Sequence, residues 1–291
     1  MLATLLLVQA PPVFRVGVEA VSVDVFVTKK GTPLRGLQAE DFVVKDNGVR
    51  QRVEVVDRRT LPTTVVLALD RSASVSGRKL ALLRAAAHAF LGELRARDEA
   101  ALLAFDYRIE LLHEATTDRA ALASALDGLE AGGATSVIDA LYLSLKRRWG
   151  TGLPLVVLFT DGQDSGSWLE NEDVLQAARE SSTLLHVVGT ESRGLRLARS
   201  SRGAGFSPVD TESGFVYLLR RAAEITGGAY WAVDSGHLEA AFRKVLEAAN
   251  ARYVLRYEPQ GVARPGLHRL EVSVRRRGVD VRARQEYVIP K

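Results

Sequence analysis

The apolar positions of this chain change their period twice. Over residues 13–57 they alternate. Val21, Val23, Val25 and Val27 are separated by Ser22, Asp24 and Phe26, the period of a strand with one buried face. A polar turn at Lys29-Lys30-Gly31-Thr32-Pro33 ends that run. Phe42-Val43-Val44 then leads into Asp46-Asn47-Gly48, a strong hairpin signal, and alternation resumes at Val53 and Val55.

Over residues 61–250 strand and helix patterns take turns. Residues 64–69 form a continuous apolar run, as expected of a parallel strand covered on both faces. Residues 79–95 follow as a helix with Leu80, Leu83, Ala87, Phe90, Leu91 and Leu94 along one side. A strand is predicted over 100–105, with 109–112 as its hairpin partner. Asp118 then caps a helix that runs to 129. Beyond it come a helix over 136–149, a second buried strand over 155–160, a helix over 174–180 and a strand over 184–188. A helix over 216–225 ends at Gly227-Gly228, and a strand over 230–233 and a helix over 238–249 complete the series. This order predicts an α/β architecture, a doubly wound, mostly parallel, Rossmann-like sheet with helices on both faces.

The β pattern returns over 253–257, 267–274 and 279–288. Neither chain end has enough strands to bury its apolar stripe alone. Both are therefore predicted to meet in one small all-β domain, a β-sandwich, into which the α/β domain is inserted. The division is 1–12, a signal peptide or its remnant; 13–60, a β segment; 61–250, the α/β domain; and 251–291, a β segment pairing with 13–60. The nearly continuous apolar start, Met1 to Ala10, is too short to span a bilayer. It matches the apolar core of a secretory signal, although no Lys or Arg precedes it and Pro11 follows the natural cut. The alternatives are export, to the periplasm or outside the cell, and a plain N-terminal strand. No stretch reaches membrane-spanning length.

Composition narrows the chemistry. The chain of 291 residues contains no Cys, which excludes thiolate nucleophiles, disulfides, Cys-ligated zinc and iron–sulfur clusters. Net charge is +4, yet residues 251–291 hold ten Arg or Lys against four Asp or Glu. There Leu270, Val272 and Val274 alternate with Arg269, Ser273 and Arg275, so the basic residues read as the wet face of a strand, not a nucleic-acid surface. His237 and His268 are expected in solvent, and none of the five His is given a role.

In an open parallel sheet, ligands bind beyond the carboxyl ends of the strands. The first buried strand delivers Asp70-Arg71-Ser72-Ala73-Ser74 to that edge and the second delivers Thr160-Asp161-Gly162. Gly132-Gly133 presents Thr135 and Ser136 between them. Two carboxylates and several hydroxyls are hard oxygen donors, suited to Mg²⁺, Mn²⁺ or Ca²⁺. Asp70 also resembles a strand-end phosphoryl acceptor, but position 72 is Ser instead of a second acid, and no Lys lies in the matching loops. Asp106 and Asp164 read as turn residues.

Asp70-x-Ser72-x-Ser74 with Thr135 and Asp161 resembles the metal-ion-dependent adhesion site of von Willebrand factor type A domains. Ala104-Phe105-Asp106, Gly132-Gly133-Ala134-Thr135 with Asp139-Ala140-Leu141, and Phe159-Thr160-Asp161-Gly162 agree with it. Leu37-Gln38-Ala39-Glu40-Asp41-Phe42 and Tyr253-Val254-Leu255-Arg256-Tyr257 resemble segments that flank a related domain in bacterial proteins. The resemblance implies that Ser72 and Ser74 ligate a divalent cation, with Asp70, Asp161 and Thr135 binding directly or through water. Ala134 leaves Ser136 as a competitor for the Thr135 position, and Asp139 sits behind it. The implied function is metal-dependent recognition of a carboxylate on a partner protein, without enzymatic activity. The alternatives are a scaffold whose metal site is silent and an Mg²⁺-dependent hydrolase. Arg193, Arg196, Arg199 and Arg202, in the Gly- and Ser-rich stretch after the strand at 184–188, would then form a cationic rim.

Overall fold

The computed structural model describes residues 20–56, 61–162, 164–190, 214–263 and 265–289. Five strands come first: β1 (Val21–Lys29), β2 (Thr32–Pro33), β3 (Phe42–Asp46), β4 (Val49–Gln51) and β5 (Glu54–Val56). The α/β part then runs β6 (Thr63–Asp70), α1 (Arg78–Gly92), β7 (Glu99–Phe105), β8 (Ile109–Thr116), α2 (Arg119–Asp127), α3 (Val137–Lys146) and β9 (Leu153–Thr160). It continues through α4 (Asn171–Glu180), β10 (Leu184–Thr190), α5 (Gly214–Thr226), β11 (Ala229–Val233) and α6 (Leu238–Asn250). Four strands close the chain: β12 (Tyr253–Tyr257), β13 (Gly266–Val274), β14 (Asp280–Ala283) and β15 (Glu286–Ile289).

The continuous apolar run of β6 is buried along its whole length because helices cover both faces of its sheet. Val65, Leu67 and Leu69 pack with Leu83, Phe90, Leu122 and Phe242 on one side. Val66 and Ala68 pack with Leu141, Val174 and Leu219 on the other. The sheet order is β11-β10-β9-β6-β7-β8, parallel throughout except for the antiparallel β7–β8 pair. Successive strands spread to one side of β6 and then to the other, so the winding reverses between β6 and β9. A crevice opens there at the carboxyl edge.

Strands from the two chain ends pair with each other. One sheet has the order β14-β1-β12-β5, with β2 on β1, and the other has the order β15-β13-β3-β4. They enclose Val23, Val25, Phe42, Val44, Leu255 and Leu270. Residues 279–288, expected as one strand, are two. β14 pairs with β1 and β15 with β13, and the chain changes sheets at Arg284-Gln285. Gln285 donates its N–H to Ile225 O (3.2 Å), and its own carbonyl accepts from Leu270 N–H (2.8 Å). Burial at this crossing pushes the Arg284 guanidinium down to about 10.

His268 overturns an expectation. It is 1% exposed, not in solvent, because position 268 falls on the inward side of β13. Its Nδ1 lies 2.7 Å from Asp46 Oδ1. Asp46 Oδ2 also accepts from Tyr287 (2.6 Å) and Tyr257 (3.0 Å).

The β layers dock at the amino edge of the α/β sheet. Helices run back from the carboxyl edge, so the last turns of α4 and α5 lie at the opposite end. There Glu286 takes Arg179 (2.9 Å) and Arg221 (2.6 Å). Gly227, at φ +88°, lets the end of α5 touch β14–β15, where a Cβ would lie 2.6 Å from Arg284 N. Among the described residues, the β layers leave the carboxyl edge clear. A chain ending at Asn250 would remove β12 and β14 from β1 and β13 from β3, leaving only the short β2 and β4 as their partners. Limited proteolysis of it is expected to cleave within 20–56 while 61–250 resists; protection of 20–56 would contradict this pairing.

Candidate metal centre

Asp70 is the last residue of β6 and Thr160 the last of β9, the two strands that border the crevice. Thr160 Oγ1 bridges them, donating to Asp70 Oδ2 at 2.7 Å. Asp70 Oδ1 accepts from Ser72 N–H at 2.9 Å. This carboxylate is wholly buried. Burial pushes its carboxyl above the usual range, the hydrogen bonds from Ser72 and Thr160 pull it back, and nearby Asp161 adds to the rise. A cation placed here would remove that penalty.

Beyond Asp70 the chain makes one 3₁₀ turn over Ala73–Val75, with Ser72 in extended conformation before it. The turn brings Ser72 Oγ to within 3.0 Å of Ser74 Oγ. Ser74 Oγ donates in turn to Asp161 Oδ1 at 2.6 Å. The Gly132-Gly133 turn is fastened to the same loop by Ala73 N–H to Gly133 O (3.0 Å) and Gly132 N–H to Arg71 O (2.8 Å). Gly133 has φ +80°, and a Cβ there would strike Tyr107 at 2.6 Å, so only glycine fits. Thr135 and Ser74 face one backbone position: from a Cβ built on Gly162, Ser74 Oγ is 3.6 Å away and Thr135 Oγ1 is 4.0 Å. The Ser136 hydroxyl is turned toward Gly166 instead, 3.0 Å from a Cβ built there. Among the described residues it is buried without a hydrogen-bond partner.

Lys79 and Asp164 do more than the sequence implies, while Asp106 is the turn residue expected. No Lys lies in the loops themselves, yet Lys79, from the first turn of α1, reaches the site. Its ammonium pairs with Asp161 Oδ2 and donates to Ser74 O (3.1 Å). The sequence signal was available, because a residue that opens the helix after the Ser72–Ser74 loop must lie at the same sheet edge. Asp164 is more than a turn residue. Its Oδ1 accepts from Ile138 N–H (3.2 Å) at the amino end of α3 and from Ser167 Oγ (2.5 Å), a favourable place for an anion. Asp106 is 5% exposed and pairs with Arg71 (3.2 Å) while its Oδ1 accepts from Arg108 N–H (2.7 Å). Arg193, Arg196, Arg199 and Arg202 lie outside the described residues.

The donors suit a hard divalent cation. Two carboxylates and three hydroxyls are grouped, and among the described residues no three His, Asp or Glu side chains converge as a nitrogen-rich or carboxylate-rich site would need. Lys79 against Asp161 shows that the potential here already holds one positive charge.

Residues 65–163 match the family model of the von Willebrand factor type A domain. An uncharacterized protein of Synechocystis sp. is 32% identical over 113 residues, 37% of this chain and 27% of that relative, so the chain spans only about a quarter of its length. A von Willebrand factor type A structure from Catenulispora acidiphila superposes with TM-score 0.52 at 14% identity, covering 87% of this chain and 75% of the other. Proximal thread matrix protein 1 from the mussel byssus, with a zinc-occupied adhesion-site motif, gives TM-score 0.52 at 14% identity, over 69% and 49% of the chains. At these identities the structures establish the fold. Together with the family model they show that the chain carries a von Willebrand factor type A domain.

Proposed function

We propose that the chain is a protein-binding module that recognises an acidic side chain through a divalent cation. In this reading Ser72 and Ser74 hold the ion by their hydroxyls, and Asp70, Asp161 and Thr135 hold it directly or through water. The ion, Mg²⁺, Mn²⁺ or Ca²⁺, supplies an electrophilic position for the partner's carboxylate. Asp70 gives a fixed, desolvated negative charge, Thr160 fixes its orientation, and Gly162 keeps the mouth open. The supporting observation is the convergence of these groups where the sheet reverses its winding. The β layers, at the other end of the sheet, would serve as support or tether, and the apolar start suits a secreted or periplasmic protein.

A scaffold with a silent site remains the alternative. The phosphoryl-transfer reading gains a cation from Lys79 but still lacks an acid at position 72. Capture of partners from a native envelope extract is the test. Retention in Mg²⁺ that is lost with EDTA and in Asp70→Ala is expected; retention that ignores both would contradict the proposal.

Lys79 competes for the same carboxylate. The ammonium is half-exposed although Asp161 is buried, and a pair open to solvent on one side is worth roughly 1 kcal/mol, so Lys79→Met is expected to tighten Mg²⁺ binding about fivefold in titration calorimetry. Unchanged or weaker binding would show that Lys79 supports the site instead of opposing the ion.

A further inference from the structure

Loop 164–169 is fastened to the segment that carries Thr135. Ser165 and Gly166 both donate to Thr135 O (2.9 and 3.0 Å), and Thr135 N–H donates to Ser165 Oγ (3.1 Å). Asp139 N–H donates to Ser167 Oγ (3.1 Å). The Asp139 carboxylate accepts from Trp168 N–H (3.0 Å) and Leu169 N–H (3.0 Å). Leu169 packs against the core. Trp168 goes the other way, and it is 93% exposed. The backbone is tied down, yet the indole stands in water. Across the Thr135 segment, Tyr107 is 56% exposed beside Gly133, with the Arg108 guanidinium 4.8 Å above its ring.

Binding hot spots are rich in Trp, Tyr and Arg, and they act best when their backbone is ordered before the partner arrives. Resting on the metal-site reading above, we propose that Trp168 is the apolar anchor of that binding face. Its occupant is a protein segment whose acidic residue reaches the metal while an adjoining apolar pocket or side chain covers the indole, with Tyr107 and Arg108 at the rim. Two observations argue for a protein of this chemistry. The cation calls for one carboxylate at a fixed point. Trp168 is the most exposed aromatic of this face and stands on a backbone held by Asp139, which matches one side-chain pocket better than a broad apolar surface.

The full chain, immobilised in Mg²⁺, is used to select from a random-peptide display library, and recovered peptides are titrated against variants. Peptides with Asp or Glu next to a bulky apolar residue are expected. Trp168→Ser should weaken them by roughly tenfold or more, Trp168→Phe by less, and neither should change Mg²⁺ affinity. Trp149 is buried and Trp231 is partly buried and bonded to His186, so a blue shift on binding that disappears in Trp168→Ser would report the Trp168 indole directly. Peptides that need Mg²⁺ and Asp70 but bind Trp168→Ser as tightly as wild type would overturn the anchor and leave the metal reading intact. Peptides indifferent to EDTA and to Asp70→Ala would overturn the metal reading itself. A selection without binders, or Trp168-dependent binding to phosphatidylglycerol–phosphatidylcholine vesicles in place of peptides, would also overturn the proposal.

Discussion

Asp46→Ala is expected to lower the stability of the β layers by about 3 kcal/mol or more, because it strips one acceptor from three buried donors. Asp46 is on β3, whereas His268, Tyr257 and Tyr287 are on β13, β12 and β15. The carboxylate therefore joins the N-terminal strands to three C-terminal ones inside the core. Burial, the neighbouring phenol and the Asp46 charge all push the Tyr257 hydroxyl far above its usual range, so it stays a donor at any ordinary pH. Without Asp46 these donors have no water to turn to. Urea unfolding followed by circular dichroism should show the loss, with Mg²⁺ binding retained at low urea since the site lies at the far end of the other sheet. A loss below about 1 kcal/mol would place the network among ordinary surface hydrogen bonds.

Asp70→Ala is expected to abolish Mg²⁺ and Mn²⁺ binding in titration calorimetry. Loss of an outer-sphere partner typically weakens a metal site 10–100-fold, and removal of a buried carboxylate from its centre should exceed that. The fold should survive. The substitution removes a charge that burial disfavours in the metal-free protein, which offsets the lost hydrogen bonds from Ser72 and Thr160. Binding that persists with a native circular dichroism spectrum would remove Asp70 from the site.

Much of the fold was legible in particular residues. Val65 to Leu69 announced a strand covered on both faces, and Asp118 caps α2 as its position implies, accepting from Ala120 and Ala121 N–H at 3.0 Å. Strand pairing was less legible. Period-2 alternation from Val279 breaks at the polar run Arg284-Gln285-Glu286, but that break alone does not record that the chain changes sheets there. His268 is a different case: it lies in phase with Leu270, so the alternation already turns it inward, and only its partner Asp46, 222 residues away, has no local signal. At the carboxyl edge, Asp70, Ser72, Ser74, Thr135 and Asp161 were visible because each follows a strand or precedes a helix. Lys79 and Trp168 escape a sequence reading of that edge, and Asp164, near the site in sequence, reads there only as a loop residue. Their roles depend on side chains that cross between loops, which chain order alone does not display.

The central claim is that one divalent cation sits among these five residues. Diffraction from crystals of the full chain equilibrated with Mn²⁺, at a concentration where calorimetry shows saturation, tests it most directly. The account predicts a single anomalous peak bonded to Ser72 Oγ and Ser74 Oγ, beside Asp70, Thr135 and Asp161, with Lys79 moved away from Asp161. A saturated protein with no peak at this edge, or with its peak elsewhere, would contradict it.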